Sequence, residues 1–390
     1  MTHIKITFPD GSVKDYLKGI TAGEIAMQIS PRLVEDAVVA KVNSELKDLS
    51  YPINEDANLQ ILKLKDKEGL DALRHSVAHL LAAAVLELHP DAKRTIGPAI
   101  ENGFYYDFEF STPISEEDLP KIEAKMREIL PAWDKFTRSE HTPAEAKKEF
   151  HNNPFKIELI EEFSKDGKKL SFYKSGNYTD LCRGGHLSSM KKVKAESFKL
   201  TKLAGAYWRG SEKNPMLTRI YGLAFATKKD LDEHLKQQEE AEKRDHKKLG
   251  REMGLFMTHE LVGKGLPIWL PKGEIIKREI ENFAVDTERK AGYQRVSTPI
   301  LAKKDLYIKS GHIPYFQESM FPEMVLDDGT YYLKAMNCPH HHLIYGHKTR
   351  SYRDLPLRIS EYGVCHRYEL SGTLAGLLRV RMLTMNDAHI

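Results

Sequence analysis

Ile4, Ile6 and Phe8 alternate with polar residues at the start of the chain, the period of a strand with one buried face. Asp10-Gly11 follows as a hairpin turn signal. Thr21-Ala22-Gly23-Glu24 places a hydroxyl and a carboxylate three residues apart, the pattern that caps a helix N-terminus. Val38-Val39-Ala40-Lys41-Val42 and Leu59-Gln60-Ile61-Leu62 read as further strands, and the periodicity stops there. Residues 1–63 are therefore expected to form a small β-rich module with one or two helices. Residues 64–226 read as a larger α+β region. Its helix from Asp71 to Leu88 is apolar on most sides, through Leu73, Val77, Leu80, Leu81, Ala84 and Val85, and Pro90 marks its end. A strand over Phe104–Phe108 and an amphipathic helix from about Ser115 to Leu130 follow. Residues 227–250 read as one charged helix. It opens at Thr227-Lys228-Lys229-Asp230, has Gly250 and Gly254 as stops, and carries both charge signs with few apolar positions, as a solvated helix between two domains does. The region 251–390 brings the Gly/Pro-rich stretch Gly263–Pro267, a helix from Gly273 to Lys290, an extended run to Pro299 and several strands. The expectation is an α+β, multidomain chain.

Composition narrows this only a little. A chain of 390 residues exceeds one compact core, so two to four domains are expected. With 59 Lys plus Arg against 56 Asp plus Glu, the net charge of +3 decides nothing about a nucleic-acid partner, which depends on local patches. Three widely spaced cysteines, Cys182, Cys338 and Cys365, make no disulfide framework and point to thiol or metal roles in a reducing compartment. The first residues have no apolar signal-peptide core, and no run is apolar for long enough to span a bilayer. A cytoplasmic location with no membrane partner is the expectation.

Three constellations carry candidate chemistry. In His75-x-x-x-His79 the two rings share a helix face, and Cys182-x-x-x-His186 puts a thiol and an imidazole on a Gly-containing turn. Spacing alone leaves a ligand or acid/base cluster and four satisfied structural residues as even readings. Downstream, Lys191, Lys192, Lys194, Lys199 and Lys202 lead into Tyr207-Trp208-Arg209, a pattern shared by phosphate-and-base contacts and by a solvated strand face. The second constellation is Met336-Asn337-Cys338-Pro339-His340-His341-His342 with Asn386-Asp387-Ala388-His389. It suits a zinc site of mixed nitrogen and sulfur ligands, or a buried structural cysteine among solvent-facing histidines. In the third, Arg367 and Glu369 are expected at i, i+2 on a strand, pointing to one face, with a Gly-containing loop and Arg379 after them. A guanidinium there suits a phosphate, because its planar fork offers two donors to two oxygens.

Taken in order, these pieces resemble the bacterial threonyl-tRNA synthetases, class II enzymes, over essentially the whole chain. Residues 1–63 look like the family's β-grasp TGS domain. His75–His79, Gly103–Asp107, Asp180–His186 and Gly205–Gly210 look like its α+β editing domain, 64–226. Residues 227–250 fall at the linker helix. Met336–Pro339, Ser351–Pro356 and Arg367–Arg379 look like parts of the class II antiparallel-sheet catalytic domain, 251–390, incomplete here. The resemblance implies ATP-dependent activation of threonine, with Mg2+ accompanying ATP, and transfer to tRNA(Thr). Arg367 would hold the α-phosphate, Glu369 would accept from the adenine amino group, and Arg379 would contact the triphosphate. Met336, Met385 and Asp387 fall at the amino-acid pocket. Cys338 and His389 match two of three zinc ligands, the third lying beyond the chain end. The metal would take the amino and hydroxyl groups of threonine, since an apolar pocket separates threonine from valine by only about 100-fold. Serine keeps both groups, and one methyl is worth only about 1–3 kcal/mol. A second, hydrolytic site for seryl-tRNA(Thr) is therefore implied, matched by His75, His79, Lys156, Asp180, Cys182 and His186. A homodimeric parent is implied as well, and the segment itself is expected not to aminoacylate. Two other readings stand beside this one, a free-standing deacylase and a non-enzymatic RNA-binding regulator. The sequence departs from the commoner family pattern at Gly185 (often Pro), at His340 (often Gly) and in Met382-Leu383-Thr384-Met385-Asn386.

Overall fold

The computed structural model describes residues 2–165 and 169–390, in two compact units, Met1–Gln237 and Gln238–Ile390. In the first, β1 (His3–Thr7) and β2 (Val13–Leu17) form the expected antiparallel hairpin. α1 (Ala22–Ile29) starts at a reciprocal cap. The Thr21 side chain accepts from the Glu24 N–H, and the Glu24 carboxylate accepts from the Thr21 N–H. After α2 (Pro31–Asp36) come β3 (Ala37–Val42), β4 (Glu45–Lys47) and β5 (Ala57–Lys63). The sheet order is β2-β1-β5-β3-β4, with the β1–β5 pair parallel and the others antiparallel. Ile4, Ile6, Ile25 and Leu59 build this sheet's own core.

Val38, Val39 and Leu62 belong to a different, larger core centred on α3 (Lys67–Leu88). This helix begins four residues before the expected Asp71 and is buried on nearly every side, including Ser76 and His79. It packs against β3 and β5 of the first sheet and against β8 and β13 of the next. The elements that follow are β6 (Lys93–Arg94), β7 (Ala99–Ile100), β8 (Gly103–Glu109), α4 (Leu119–Ile129), β9 (Thr137–His141), α5 (Pro143–Glu149), α6 (Pro154–Phe163), β10 (Leu170–Ser175), β11 (Tyr178–Leu181), β12 (Phe198–Tyr207) and β13 (Met216–Ala224). α4 is shorter than Ser115–Leu130 because both its ends tighten into 3₁₀ turns, the second carrying Pro131, which cannot donate to a continuing helix. One sheet runs β12-β13-β8-β6 with β7 beside β8, and a smaller one runs β11-β10-β9.

α7 (Lys228–Lys243) contains the division between the units. The single helix expected over 227–250 is two helices. A new one, α8 (His246–Met253), begins at Asp245, whose carboxylate accepts the N–H groups of Lys247 and Lys248, and it ends at Gly254 with φ 65°. Interspersed charge concealed that cap. The second unit continues with β14 (Phe256–Met257), β15 (Ile268–Trp269), α9 (Pro271–Lys290), β16 (Gln294–Arg295), β17 (Leu301–Lys303), α10 (Lys304–Lys309), α11 (His312–Tyr315), β18 (Met324–Leu326), β19 (Gly329–Leu333), α12 (Cys338–Gly346), β20 (Ile359–His366) and β21 (Met382–His389). β20 pairs in parallel with β16 and antiparallel with β21, from Ile359 opposite His389 to His366 opposite Met382.

Candidate functional site

The first unit gathers one cluster from four places in the sequence. α3 supplies His75 and His79 one turn apart, α6 supplies Lys156, β11 supplies Asp180, and the loop after β11 supplies Cys182 and His186. The His75 Nε2 lies 3.1 Å from the Cys182 thiol. The His75 and His186 rings stack at 4.6 Å, and His79 meets both edge-on at 4.8 Å. The loop can turn so sharply because Gly184 has φ +95°, where a Cβ would also lie 2.2 Å from the Tyr173 hydroxyl oxygen. Phe136 stacks on the far face of this arrangement, 4.0 Å from His186.

Beneath the imidazoles lies a buried charge network. Asp180 accepts from Lys156 at 2.7 Å, Tyr106 at 2.6 Å, Tyr178 at 2.9 Å and Arg94 at 3.3 Å. Burial opposes the Asp180 carboxylate, but the Lys156 and Arg94 cations beside it hold it well below the usual carboxylate range. Burial lowers the Lys156 ammonium's pKa, with Asp180 pulling the other way. His75, His79 and His186 are all driven below the ordinary histidine value by burial. The Cys182 thiol is pushed up to about 12, again by burial first. The set is thus three neutral imidazoles and a protonated thiol that donates to His75. The thiol is a poor nucleophile in this state, since thiolate is the reactive form.

Two observations say where a ligand would go. Both ring nitrogens of His186 and the Nδ1 of His79 are buried without a hydrogen-bond partner among the described residues. Such groups are normally satisfied, so orphans in a cluster mark a place for water or substrate. A cavity of about 470 Å³ reaches the cluster at Cys182; Leu181, Ser171 and Phe163 also line it, Arg183, Lys165 and Lys169 bring positive charge and Glu162 a carboxylate. The donor atoms of His75, His79, Cys182 and His186 all lie within 4.8 Å of one another, close enough to share a metal. The nearly parallel His75 and His186 rings and the Cys182–His75 hydrogen bond suit a water-holding cluster better.

Sequence reasoning missed Asp48, which comes from the short β4–β5 connection. It accepts from the Tyr173 hydroxyl at 2.5 Å and from the His186 N–H at 2.8 Å, and so fixes the Cys182–His186 loop from the first sheet. Nothing local in the sequence marks it. Arg94 and Tyr178 were missed for the same reason, while Tyr106 lies in the Gly103–Asp107 stretch that resembles the editing domain but was given no role of its own. The lysines of 191–202 do not converge on the cluster; Lys192, for one, is tied to the carbonyls of Glu35 and Ala37.

In the second unit, the β20/β21 pair builds a face from Ile359, Glu361, Gly363 and Cys365 opposite His389, Asp387, Met385 and Leu383. Cys338 opens α12, and its thiol, the Asp387 carboxylate and the His389 ring offer donor atoms within 4.8 Å of one another. Asn337 ties the two parts together. Its amide donates to Asp387 at 3.2 Å, and it sits where a Cβ on Gly363 would be, 2.1 Å from its Oδ1. The Met336 sulfur is 3.2 Å from the His312 Nε2. His340 and His341 are buried, against the solvent-facing alternative, whereas His342 is exposed. Arg367 and Glu369 are not on a strand, because β20 ends at His366. They lie in the loop beyond it, where the Arg367 N–H donates to the Arg381 carbonyl. Glu369 accepts both the Nε and the Nη2 of Arg379, at 2.9 and 2.8 Å, while the Arg367 Nε is buried without a partner among the described residues.

With this geometry in hand, comparison with known proteins is specific. Residues 4–63 match the TGS domain, residues 170–221 the threonyl and alanyl tRNA synthetase second additional domain, and residues 323–390 the class II tRNA synthetase core domain of the G, H, P, S and T enzymes. Two of these three models are described as tRNA synthetase domains. Over its whole length the chain is similar to bacterial threonine–tRNA ligases. It is 51% identical over 389 residues both to the threonine–tRNA ligase of Anoxybacillus flavithermus and to threonine–tRNA ligase 1 of Bacillus subtilis. Each alignment takes in 99% of this chain and 60% of the relative, so the chain spans about three fifths of their length. Among solved structures, the RNA binding domain of threonyl-tRNA synthetase from Cryptosporidium parvum Iowa II aligns at 38% identity with a TM-score of 0.36, over 37% of this chain and 36% of that one. No helix among the described residues is long and apolar enough to cross a membrane.

Proposed function

We propose that the first unit hydrolyses seryl-tRNA(Thr), and that the second contributes part of the site that activates threonine with ATP and transfers it to tRNA(Thr). The observation that carries the first half is the neutral His75/His79/His186 cluster with its unpartnered nitrogens, packed with Cys182, which also lines a cavity. Ester hydrolysis needs water delivered to the acyl carbonyl carbon, a base for its proton and a place for the 3′-terminal ribose. An uncharged imidazole is the base, the rim cations of Arg183, Lys165 and Lys169 receive the tRNA backbone, and Lys156 stands by with its charge fixed by Asp180. The carbonyl–ribose oxygen bond breaks, releasing serine, and the ribose oxygen leaves with a proton.

For the second unit, Arg367 is assigned to the α-phosphate, Arg379 to the triphosphate and Glu369 to the adenine amino group, with Mg2+ bound to ATP. Met336, Met385 and Asp387 line the amino-acid pocket. A thiol and an imidazole within reach of one another fit zinc. Cys338 and His389 would hold it, with Asp387 free for the substrate amino group. When bound, the metal supplies Lewis-acid recognition of the threonine amino and hydroxyl groups. The domain limits 1–63, 64–226, 227–250 and 251–390, a homodimeric parent and a cytoplasmic location belong to the same reading. The test is hydrolysis of seryl-tRNA(Thr) by this chain beside a His75→Ala control. Hydrolysis lost in the control is expected. No hydrolysis by a folded, tRNA-binding chain would sink the assignment.

A further inference from the structure

We infer that His246, in the first turn of α8, is a positioning residue for the loop that carries Arg379, and that its imidazole holds the tip of that loop by one hydrogen bond. The inference rests on reading Arg379 and Glu369 as ATP contacts, and it adds a residue that touches no substrate.

The loop between β20 and β21 closes on itself in a tight turn, residues 375–379. The Ala375 N–H donates to the Arg379 carbonyl at 3.1 Å, and the Leu378 N–H donates back to the Ala375 carbonyl at 2.8 Å. The Leu377 N–H, at the tip, takes no part in these bonds and donates to the His246 Nε2 at 3.0 Å. A backbone N–H can only donate, so the direction of this bond is fixed and the ring nitrogen is its acceptor. Among the described residues it is the one hydrogen bond that ties the backbone of the turn to a distant part of the chain. The stem of the loop is held separately. There the Arg381 N–H donates to the Gly265 carbonyl at 2.7 Å, and the Arg381 Nε donates to the Glu369 carbonyl at 3.0 Å.

Both sides of the contact are shaped for it. Gly376 has φ +52°, and a Cβ there would lie 2.2 Å from the His246 Nε2 and 3.0 Å from the Lys247 Cε. A glycine therefore lets the turn come down onto α8. On the helix, His246 and Gly250 are four residues apart and share a face. Phe256 packs on the bare Gly250, where a Cβ would lie 2.3 Å from its ring. The same ring runs nearly parallel to the imidazole, 19° off at 6.3 Å, and sets the plane in which Nε2 meets the turn. What depends on the turn is Arg379. Its Nε and Nη2 lie 2.9 and 2.8 Å from one oxygen of Glu369, so the two groups assigned to ATP stand side by side. A tip held in place keeps the guanidinium there, whereas a free tip must be ordered again when a phosphate binds.

Hydrogen exchange of the whole chain, read by peptide mass spectrometry, tests the bond. Glutamine puts an acceptor near the place of Nε2, asparagine near that of Nδ1, and phenylalanine keeps a ring with no acceptor. His246→Phe and His246→Asn should exchange the amides of 374–379 about 3–10-fold faster, with His246→Gln close to the unaltered rate. Peptides from α8 and β14 should stay unchanged in His246→Phe, because a ring still faces Phe256. In equilibrium dialysis with MgATP, His246→Phe and His246→Asn should bind about 3–10-fold more weakly and His246→Gln as the unaltered chain does. Circular dichroism identifies a variant that has not folded, and the others then decide. Unchanged exchange at 374–379 in folded His246→Phe or His246→Asn would overturn the inference, and so would faster exchange with MgATP affinity unaltered. Faster exchange that glutamine restores, with no MgATP bound even by the unaltered chain, would uphold the hold on the turn and remove the ATP reading instead.

Discussion

Replacing Asp180 by Asn takes the negative charge out of a network where Lys156 and Arg94 are both within 3.3 Å of it. The side-chain shape is kept, and the Tyr106 and Tyr178 hydroxyls still have an oxygen to donate to. What is lost is the compensation of two buried cations, and removing one partner of such an arrangement costs about 3–5 kcal/mol. For a domain of 150–250 residues, each kcal/mol moves the melting temperature by about 2–4 °C. The first unit should therefore melt roughly 6–20 °C earlier. Hydrogen exchange resolved by segment should confine the loss to elements before Gln237. The pH dependence has a definite sign. The folded Asp180 pKa is depressed, so its contribution is present above the unfolded carboxylate value of about 3.9 and fades as pH falls through the lower folded value. Wild type should keep the contribution at mildly acidic pH, and the gap to Asp180→Asn should close only in strong acid. Adding Lys156→Met should recover part of the loss, because one stranded cation is gone. A melting shift below roughly 2 °C for the single variant, or no recovery in the double, would refute the charge-compensation argument.

Asp48→Ala strips the acceptor from the Tyr173 hydroxyl and the His186 N–H. It should cost about 1–3 kcal/mol in urea unfolding and slow seryl-tRNA(Thr) hydrolysis, with Asp48→Asn milder because an oxygen remains. Cys182, with its thiol pushed up to about 12, should escape iodoacetamide at pH 8 in the folded chain while every cysteine reacts in denaturant, as peptide mass spectrometry would show. Labelling at the rate of a free thiol would contradict the raised thiol pKa.

How much of this could be read in advance depends on the reach of each signal. Alternation gave β1, and the Thr21/Glu24 spacing gave the start of α1, because both patterns act over a few residues. α3 was legible for the opposite reason: its apolar residues cover most sides, which a helix at the centre of a core tolerates. The break at Asp245 was written locally too, but a capping Asp is hard to see in a run where charges alternate throughout. The end of β20 before Arg367 depends on where a partner strand stops, and period-two patterning carries no such information. Asp48 lies 138 residues from the His186 N–H it binds, and His246 lies 131 from the Leu377 N–H. Side chains joined over such separations leave no mark on the sequence around either one.

α3 also bears on how this chain comes off the ribosome. Val38, Val39 and Leu62 sit in the core that α3 completes, not in the one the first sheet builds for itself. A nascent chain that has emerged only to Lys63 has all five strands of that sheet, yet holds these three side chains against water. About 25 further residues must clear the exit tunnel before the helix can cover them. Until then the first sheet is a half-finished surface, and its attractive partners include any neighbouring chain at the same stage of synthesis.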